Sequence, residues 1–125
     1  MSSKKRRDIP HFITPIIETH CHLDYLEQAE LDLTLEKSCA AGVERIITIA
    51  VSPANLDRVM ELTRYSPNIW GSQGIHPHEA ESYNREIEET IRVNVTDARI
   101  LAVGEIGLDY YYDHADRSVQ RLVFE

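Results

Sequence analysis

The sequence has too few cysteines to support a disulfide-stabilised fold. Its 125 residues include only Cys21 and Cys39, and the two are not spaced as a CxxC motif. A small protein held together by disulfides is therefore excluded, and a reducing, cytoplasmic location is expected. We predict that both thiols are small buried groups, Cys21 within a strand and Cys39 on the apolar face of a helix.

Long apolar segments are also absent. No run of 18 apolar residues exists, and the first residues are not followed by a stretch apolar enough for a secretory signal. The hydrophobic fraction is nevertheless 42%, which is enough to bury a core. We therefore expect one folded domain without a membrane partner.

Basic residues are scarce outside the N-terminus. The chain has 13 basic and 21 acidic residues, and residues 1–8 hold four of the basic residues and only one of the acidic ones. We predict a flexible basic tail at residues 1–14 and a folded unit at residues 15–125. An acidic body does not attract phosphate by its overall field, so binding of nucleic acid would require a local positive charge such as a metal cation.

The hydrophobic pattern predicts strands that alternate with helices. Strands are predicted at residues 16–23, 45–51, 69–75 and 100–108, and helices at residues 30–41, 54–65, 79–95 and from Asp116 onwards. Such alternation is typical of an α/β fold with a parallel sheet.

Two parallel architectures fit this alternation, an open doubly wound sheet and part of a TIM-like (β/α)8 barrel. The doubly wound sheet usually has a glycine-rich phosphate loop after its first strand, and none is present. Polar residues instead follow the first, third and fourth strands, at the end where barrels build their active sites. The barrel is therefore favoured, and 125 residues correspond to about its first four β/α units.

His20 and His22 are the strongest candidates for metal ligands. Residues two apart in a strand face the same side, so the two imidazoles should converge on one point. A surface pair without a ligand role is the alternative interpretation. The position at the end of an apolar strand favours metal binding.

Glu105 is the second candidate, because its predicted strand is otherwise apolar. An unpaired carboxylate in such a place would be costly. We expect Glu105 to bind a metal, to pair with an arginine, or to be protonated.

Two loops are more ambiguous. His76 and His78 flank Pro77 after the third strand, where His76 either faces the same site or has no ligand role. Asp109 begins a loop at residues 109–114 that contains three tyrosines, and this loop either walls a substrate pocket or packs as an ordinary connection.

Three motifs together resemble the TatD family of metal-dependent hydrolases. They are the segments HCHLD at residues 20–24, GIHPH at residues 74–78 and VGEIGLDY at residues 103–110. Their order and spacing match the family from about Ile16 to Glu125. Glu18 departs from the pattern, since the family more often has Asp there.

The resemblance implies an amidohydrolase-like barrel that hydrolyses phosphodiesters, typically in DNA, with two divalent ions (Mg, Mn or Zn). It implies that His20 and His22 bind one ion, that Glu105 bridges both, and that His76 lies near the scissile phosphate as a substrate-binding residue. The catalytic residues are not identified, apart from the contribution that Glu105 would make through the ions. The family takes two more His ligands and an Asp from later strands, so this chain is expected to be inactive or weak alone.

Two other functions remain open at this level. One is a non-catalytic half-barrel that binds a metal or a partner, and the other is a related amidohydrolase-type enzyme with a small-molecule substrate. Four strands cannot close a barrel, so we also expect free edges at the first and fourth strands and self-association through them.

Overall fold

The computed structural model describes residues 7–125, in which parallel strands alternate with α helices. The strands are β1 (Ile16–Cys21), β2 (Val43–Thr48), β3 (Ile69–Gln73) and β4 (Ile100–Val103). The α helices are α1 (Gln28–Ala41), α2 (Leu56–Tyr65), α3 (Arg85–Asn94) and α4 (Arg117–Phe124). Short 3₁₀ helices occupy Leu23–Tyr25, Pro53–Asn55 and Pro77–Ser82.

The order of the strands decides between the two predicted architectures. The sheet has the order β1-β2-β3-β4, and every neighbouring pair is parallel. A doubly wound sheet would reverse its direction of growth at some point, whereas a barrel adds each strand beside the previous one. The chain is therefore a partial β/α barrel, as predicted, and β1 and β4 are the edges of the described sheet.

All four strands end earlier than predicted. β2 stops at Thr48 and β4 at Val103, although their apolar patterns continue to Val51 and Leu108. Beyond these points the main chain leaves the sheet ladder and bonds to the ends of neighbouring strands. Glu105 thus follows β4, and its predicted position inside an apolar strand is wrong.

Helix boundaries follow capping signals that are visible in the sequence. α1 ends at Gly42, which has the left-handed φ of 101° that glycine adopts without strain. The predicted helix at residues 79–95 is split instead, because the Asn84 side chain caps a new helix by accepting a hydrogen bond from the Ile87 N–H at 2.9 Å.

The core consists of two hydrophobic clusters, and α2 contributes to both. The first cluster contains Ala50, Leu56, Val59, Met60, Ile75 and Ile100, and the second contains Leu23, Leu31, Ile46, Leu62 and Ile69. The helix α2 therefore fixes the middle of the sheet from one side.

The two cysteines differ from expectation. Cys39 is exposed, which corrects its predicted burial, because Leu31 is the only buried residue of α1. Cys21 is half-buried, and its thiol donates to the Ile47 carbonyl at 3.7 Å. Burial, together with the charges of Glu18 and Asp24, raises the pKa of Cys21 to about 11, so its thiol is protonated and unreactive at neutral pH.

The N-terminal segment is joined to the end of α1. The Phe12 N–H donates to the Ala41 carbonyl at 3.0 Å, and Nδ1 of His11 donates to the Ala40 carbonyl at 2.8 Å. Residues 1–6, which include Lys4, Lys5 and Arg6 of the predicted basic tail, lie outside the described residues. No helix within residues 7–125 is long and apolar enough to cross a membrane.

The close approach of β3 and β4 at their carboxyl ends yields a stability prediction. A Cβ on Gly74 would lie 2.6 Å from the Gly104 carbonyl carbon and 2.7 Å from its oxygen, both main-chain atoms. We expect Gly74→Ala to lower the free energy of unfolding by about 1–3 kcal/mol through overpacking. Chemical denaturation measures this change.

The matched control is Gly104→Ala, because a Cβ there meets no atom within 4 Å. If both substitutions lowered the free energy of unfolding by the same amount, the steric explanation would be wrong.

Apolar side chains at the two sheet edges yield a second prediction. Ile17 on β1 and Leu101 and Val103 on β4 are each more than half exposed, and Leu122 of α4 is 74% exposed. Exposed apolar surface next to free strand edges favours pairing with another chain. We expect the 125-residue chain to associate as its concentration rises, measured by light scattering. A monomer of 14.4 kDa at all concentrations would contradict this.

Candidate metal centre

A short main-chain segment, residues 49–51, follows β2 directly and is hydrogen-bonded to the end of β1. We call it the linking segment. The Ile49 N–H donates to the Cys21 carbonyl at 2.9 Å. The Ile49 carbonyl accepts a hydrogen bond from Nδ1 of His22 at 3.2 Å. The linking segment therefore fixes both the backbone and one imidazole at the end of β1.

The same segment also holds the residues that follow β3 and β4. The Ala50 carbonyl accepts from the Glu105 N–H at 2.8 Å, and the Val51 carbonyl accepts from the His76 N–H at 2.8 Å. Ala50 is fully buried. To make this bond, the main chain before Glu105 passes close over Gly74, which follows β3. A side chain on residue 74 would collide with the main chain of Gly104.

Ser72 of β3 adds a side-chain bridge across the sheet. Its hydroxyl accepts from the Ala50 N–H at 3.2 Å and donates to the Gly104 carbonyl at 2.7 Å. The hydroxyl is buried and satisfied, so it contributes to holding the residue before Glu105 against the linking segment.

These bonds bring the three predicted metal-site residues together. One ligand atom from each of His20, His22 and Glu105 lies within 4.8 Å of the other two. Nε2 of His20 lies 3.5 Å from Oε2 of Glu105. The convergence predicted from the HxH spacing is present, and it includes a carboxylate from the other edge of the sheet.

The neighbours of the Glu105 carboxylate are histidines. A pairing with an arginine was one of the alternatives left open by the sequence. The two carboxylate oxygens of Glu105 lie 3.5 Å from Nε2 of His20 and 3.5 Å from Nε2 of His76. Within residues 7–125 no arginine pairs with it. The carboxylate is about one-third exposed, so it is open to a ligand from the cavity.

The tautomer of His22 favours binding of a cation. A carbonyl oxygen only accepts, so Nδ1 of His22 carries its proton toward Ile49 and leaves the Nε2 lone pair free in the neutral ring. The ring also stacks on Tyr25 with centroids 5.0 Å apart. Glu18 accepts from the His20 N–H at 2.9 Å, so its longer side chain still supports the strand beside the ligands.

His76 lies on the opposite side of Glu105 from His20. Its Nδ1 accepts from the His78 N–H at 3.0 Å, so the neutral ring carries its proton on Nε2, which faces Glu105. Burial lowers the pKa of His76 below its ordinary value, and this outweighs the opposing effect of Glu105. The ring is therefore neutral at pH 7 and presents an N–H group.

The histidines and Glu105 border one open cavity of about 390 Å³. Its lining consists of His20, His22, Tyr25, Val51, His76, His78, Glu79 and Glu105. Two imidazole nitrogens and a carboxylate oxygen form a donor set that divalent ions bind in proteins, imidazole suiting Zn²⁺ and carboxylate suiting Mg²⁺ and Mn²⁺. The residues present thus fit a divalent ion.

The loop after Glu105 contributes Asp109, which pairs with His78. The sequence alone left the role of this loop open. Asp109 accepts a hydrogen bond from Nε2 of His78 at 2.5 Å. Its backbone hydrogen bond from Tyr112 and the bond from His78 hold the pKa of Asp109 below its ordinary value. Gln120 of α4, which no sequence signal singled out, bonds to both the N–H and the carbonyl of Asp109.

Comparisons with known proteins give consistent matches. The sequence model of the family described as TatD related DNase matches residues 17–125. A protein described as an uncharacterized metal-dependent hydrolase, YabD of Bacillus subtilis, is 32% identical over 111 residues, which are 87% of this chain and 43% of YabD. A Cronobacter turicensis protein described as a 3'-5' ssDNA/RNA exonuclease, TatD, is 28% identical over 93 residues, which are 74% of this chain and 35% of that protein.

A solved structure agrees with the fold. The crystal structure of YjjV, a TatD homologue from Escherichia coli, superposes with a TM-score of 0.78 and 30% identity, and the match covers 86% of this chain and 43% of YjjV. The chain spans less than half the length of these relatives. Because the family model matches most of its residues, the chain belongs to the TatD related DNase family.

Proposed function

We propose that this chain supplies part of the active site of a metal-dependent hydrolase that cleaves phosphodiester bonds in DNA. The observation that carries the proposal is the convergence of His20, His22 and Glu105 at the carboxyl ends of β1 and β4. Family membership supports metal-dependent hydrolysis, and a relative described as an ssDNA/RNA exonuclease supports a nucleic-acid substrate.

The proposed centre holds two divalent ions, Mg²⁺, Mn²⁺ or Zn²⁺. His20 and His22 would hold one ion, and Glu105 would contribute to holding both. Such ions would lower the pKa of a water molecule, so that hydroxide is available to attack phosphorus, and would neutralise charge on the phosphate oxygens. These three residues fix the position of that chemistry relative to the sheet.

His76 supplies the other proposed contact with substrate. Its neutral ring presents the Nε2–H beside Glu105, where a phosphate oxygen would accept it. A neutral donor does not repel the cations, and the low pKa caused by burial keeps the ring in this state.

The charge of the chain fits a site that attracts phosphate locally. The formal net charge is −8, so the overall field repels DNA. Cations held by the two histidines and Glu105 would reverse the sign of the potential inside the cavity. Binding of DNA should therefore depend on the metal.

Metal binding tests the proposed ligands directly. We expect Glu105→Gln to weaken Mn²⁺ binding by about tenfold or more, since loss of even a supporting group around a metal commonly has that effect. Isothermal titration calorimetry of the 125-residue chain measures the affinity.

Glu79→Gln is the matched control, because Glu79 lines the same cavity outside the three-residue cluster. It should bind Mn²⁺ as the unaltered chain does. Equal affinity of the unaltered chain and Glu105→Gln would rule out Glu105 as a ligand.

Nuclease assays test the activity. The 125 residues provide three of the ligands that the family resemblance implies, and an incomplete ligand set does not hold the reacting groups in place. We expect little cleavage of labelled single-stranded DNA by this chain, and metal-dependent cleavage by the product of the whole reading frame that contains it. Glu105→Ala should abolish that cleavage.

Three results would change the proposal. Cleavage of small amides or phosphoesters without cleavage of DNA would favour the small-molecule enzyme. Metal binding without turnover in either protein would favour a binding module. Cleavage by the highly purified 125-residue chain that requires Glu105 would show that three ligands are sufficient or that a second copy completes the site.

A further inference from the structure

His78 borders the metal cavity, and Asp109 holds its ring in place. Nε2 of His78 lies 2.5 Å from Oδ2 of Asp109. The other carboxylate oxygen, Oδ1, accepts from the N–H groups of Tyr111 and Tyr112, each at 3.0 Å. The orientation of the carboxylate is thus set by three hydrogen bonds.

The backbone of Asp109 is itself fixed from α4. The Gln120 side chain is 1% exposed, and its Oε1 accepts from the Asp109 N–H at 2.7 Å. Its Nε2 donates to the carbonyls of Asp109 at 3.1 Å and Ala115 at 2.9 Å. A buried amide with all these bonds satisfied anchors the loop, so the carboxylate and the ring bonded to it are held in one arrangement.

The hydrogen bonds determine which ring nitrogen of His78 is free. An ionised carboxylate only accepts, so the proton in the contact with Asp109 is on Nε2. Among residues 7–125, Nδ1 of His78 has no hydrogen-bond partner. The side chain is 30% exposed and lines the cavity. An anion at Nδ1 would favour a second proton there, and the carboxylate at Nε2 would stabilise the ring that then donates from both nitrogens.

This donor lies one side chain away from the metal ligands. The His78 and His76 ring centroids are 4.3 Å apart, and Nε2 of His76 lies 3.5 Å from Glu105. A phosphate bound at the metal centre carries further oxygens that only accept hydrogen bonds. Those oxygens would meet His76 first and His78 beside it.

We propose that His78 binds a non-bridging oxygen of the substrate phosphate through Nδ1–H and that Asp109 is the residue that positions its ring. This inference rests on the proposed function and extends the phosphate-binding surface beyond His76. The pair together carries no net charge when both members are ionised. It therefore adds a donor for phosphate without adding a positive charge that would repel the metal ions.

A ligand titration observed by NMR tests the proposal. The probe is thymidine 5′-monophosphate, added to the 125-residue chain with and without Mg²⁺ while the imidazole ¹H–¹⁵N signals are recorded. We expect the ring signals of His78 to shift with the nucleotide and to stay unchanged with thymidine, which lacks the phosphate. His78 signals that do not move as the nucleotide binds would overturn the inference.

Two variants separate binding of phosphate from a structural role. His78→Gln keeps an N–H donor for Asp109 but removes the second ring nitrogen, Nδ1, and we expect nucleotide binding to weaken about tenfold or more. Asp109→Asn should weaken it in the same direction. His11→Gln is the control, because His11 contacts the end of α1, at the amino end of the sheet. A purely structural His78 predicts that His78→Gln binds the nucleotide normally, and that result contradicts the proposal.

The design distinguishes this inference from the proposed function. Circular dichroism establishes that each variant is folded, and Mn²⁺ affinity reports on the metal ligands independently. If His78→Gln and Asp109→Asn bind both Mn²⁺ and the nucleotide normally, the role proposed for His78 is wrong and the metal site is unaffected. If Glu105→Gln binds Mn²⁺ as tightly as the unaltered chain does, the proposed metal site is wrong, whether or not the nucleotide binds.

Discussion

The arrangement of the whole site depends on main-chain hydrogen bonds made by the linking segment. Ile49, Ala50 and Val51 bond to the ends of β1, β4 and β3 respectively, and two of the three are buried. Buried peptide groups must be paired, so these bonds fix the relative heights of the three strand ends. The side chains that follow those ends are placed as a consequence, and the metal cluster is one result.

The same constraint explains why donors from distant parts of the sequence meet. In a parallel sheet the carboxyl ends of all strands lie at one edge, and curvature toward a barrel turns them inward. His20 on β1 and His22 directly after it belong to one edge of the described sheet, and Glu105 after β4 belongs to the other, yet their ligand atoms come within 4.8 Å. Only a sheet curved across β2 and β3 brings its edges together in this way, and the bond from Glu105 to Ala50 spans that curve.

Much of this architecture was predictable because its signals are local. The spacing of His20 and His22 predicted a common direction for their side chains, although β1 ends at Cys21, between them. Gly42 marks the end of α1 by its conformational freedom. Alternation of strands with helices predicted the parallel sheet, and the absence of a glycine-rich phosphate loop favoured the barrel. The three motifs pointed to the family that the comparisons then identified.

The rest could not be predicted because it depends on tertiary contacts. The linking segment has an apolar sequence that is indistinguishable from the strand before it, and its role lies in backbone atoms. The exposure of Cys39 depends on how little of α1 packs against the sheet. Gln120 resembles any polar helical residue until α4 is placed beside the loop of Asp109.

The central claim is that His20, His22 and Glu105 form one metal site. A crystal of the 125-residue chain soaked in Mn²⁺ and measured for anomalous scattering tests it most directly. The account predicts an anomalous peak within bonding distance of an imidazole nitrogen of each histidine and of a Glu105 oxygen. A peak bound by other residues, or no peak between these three side chains at saturating Mn²⁺, would contradict the account.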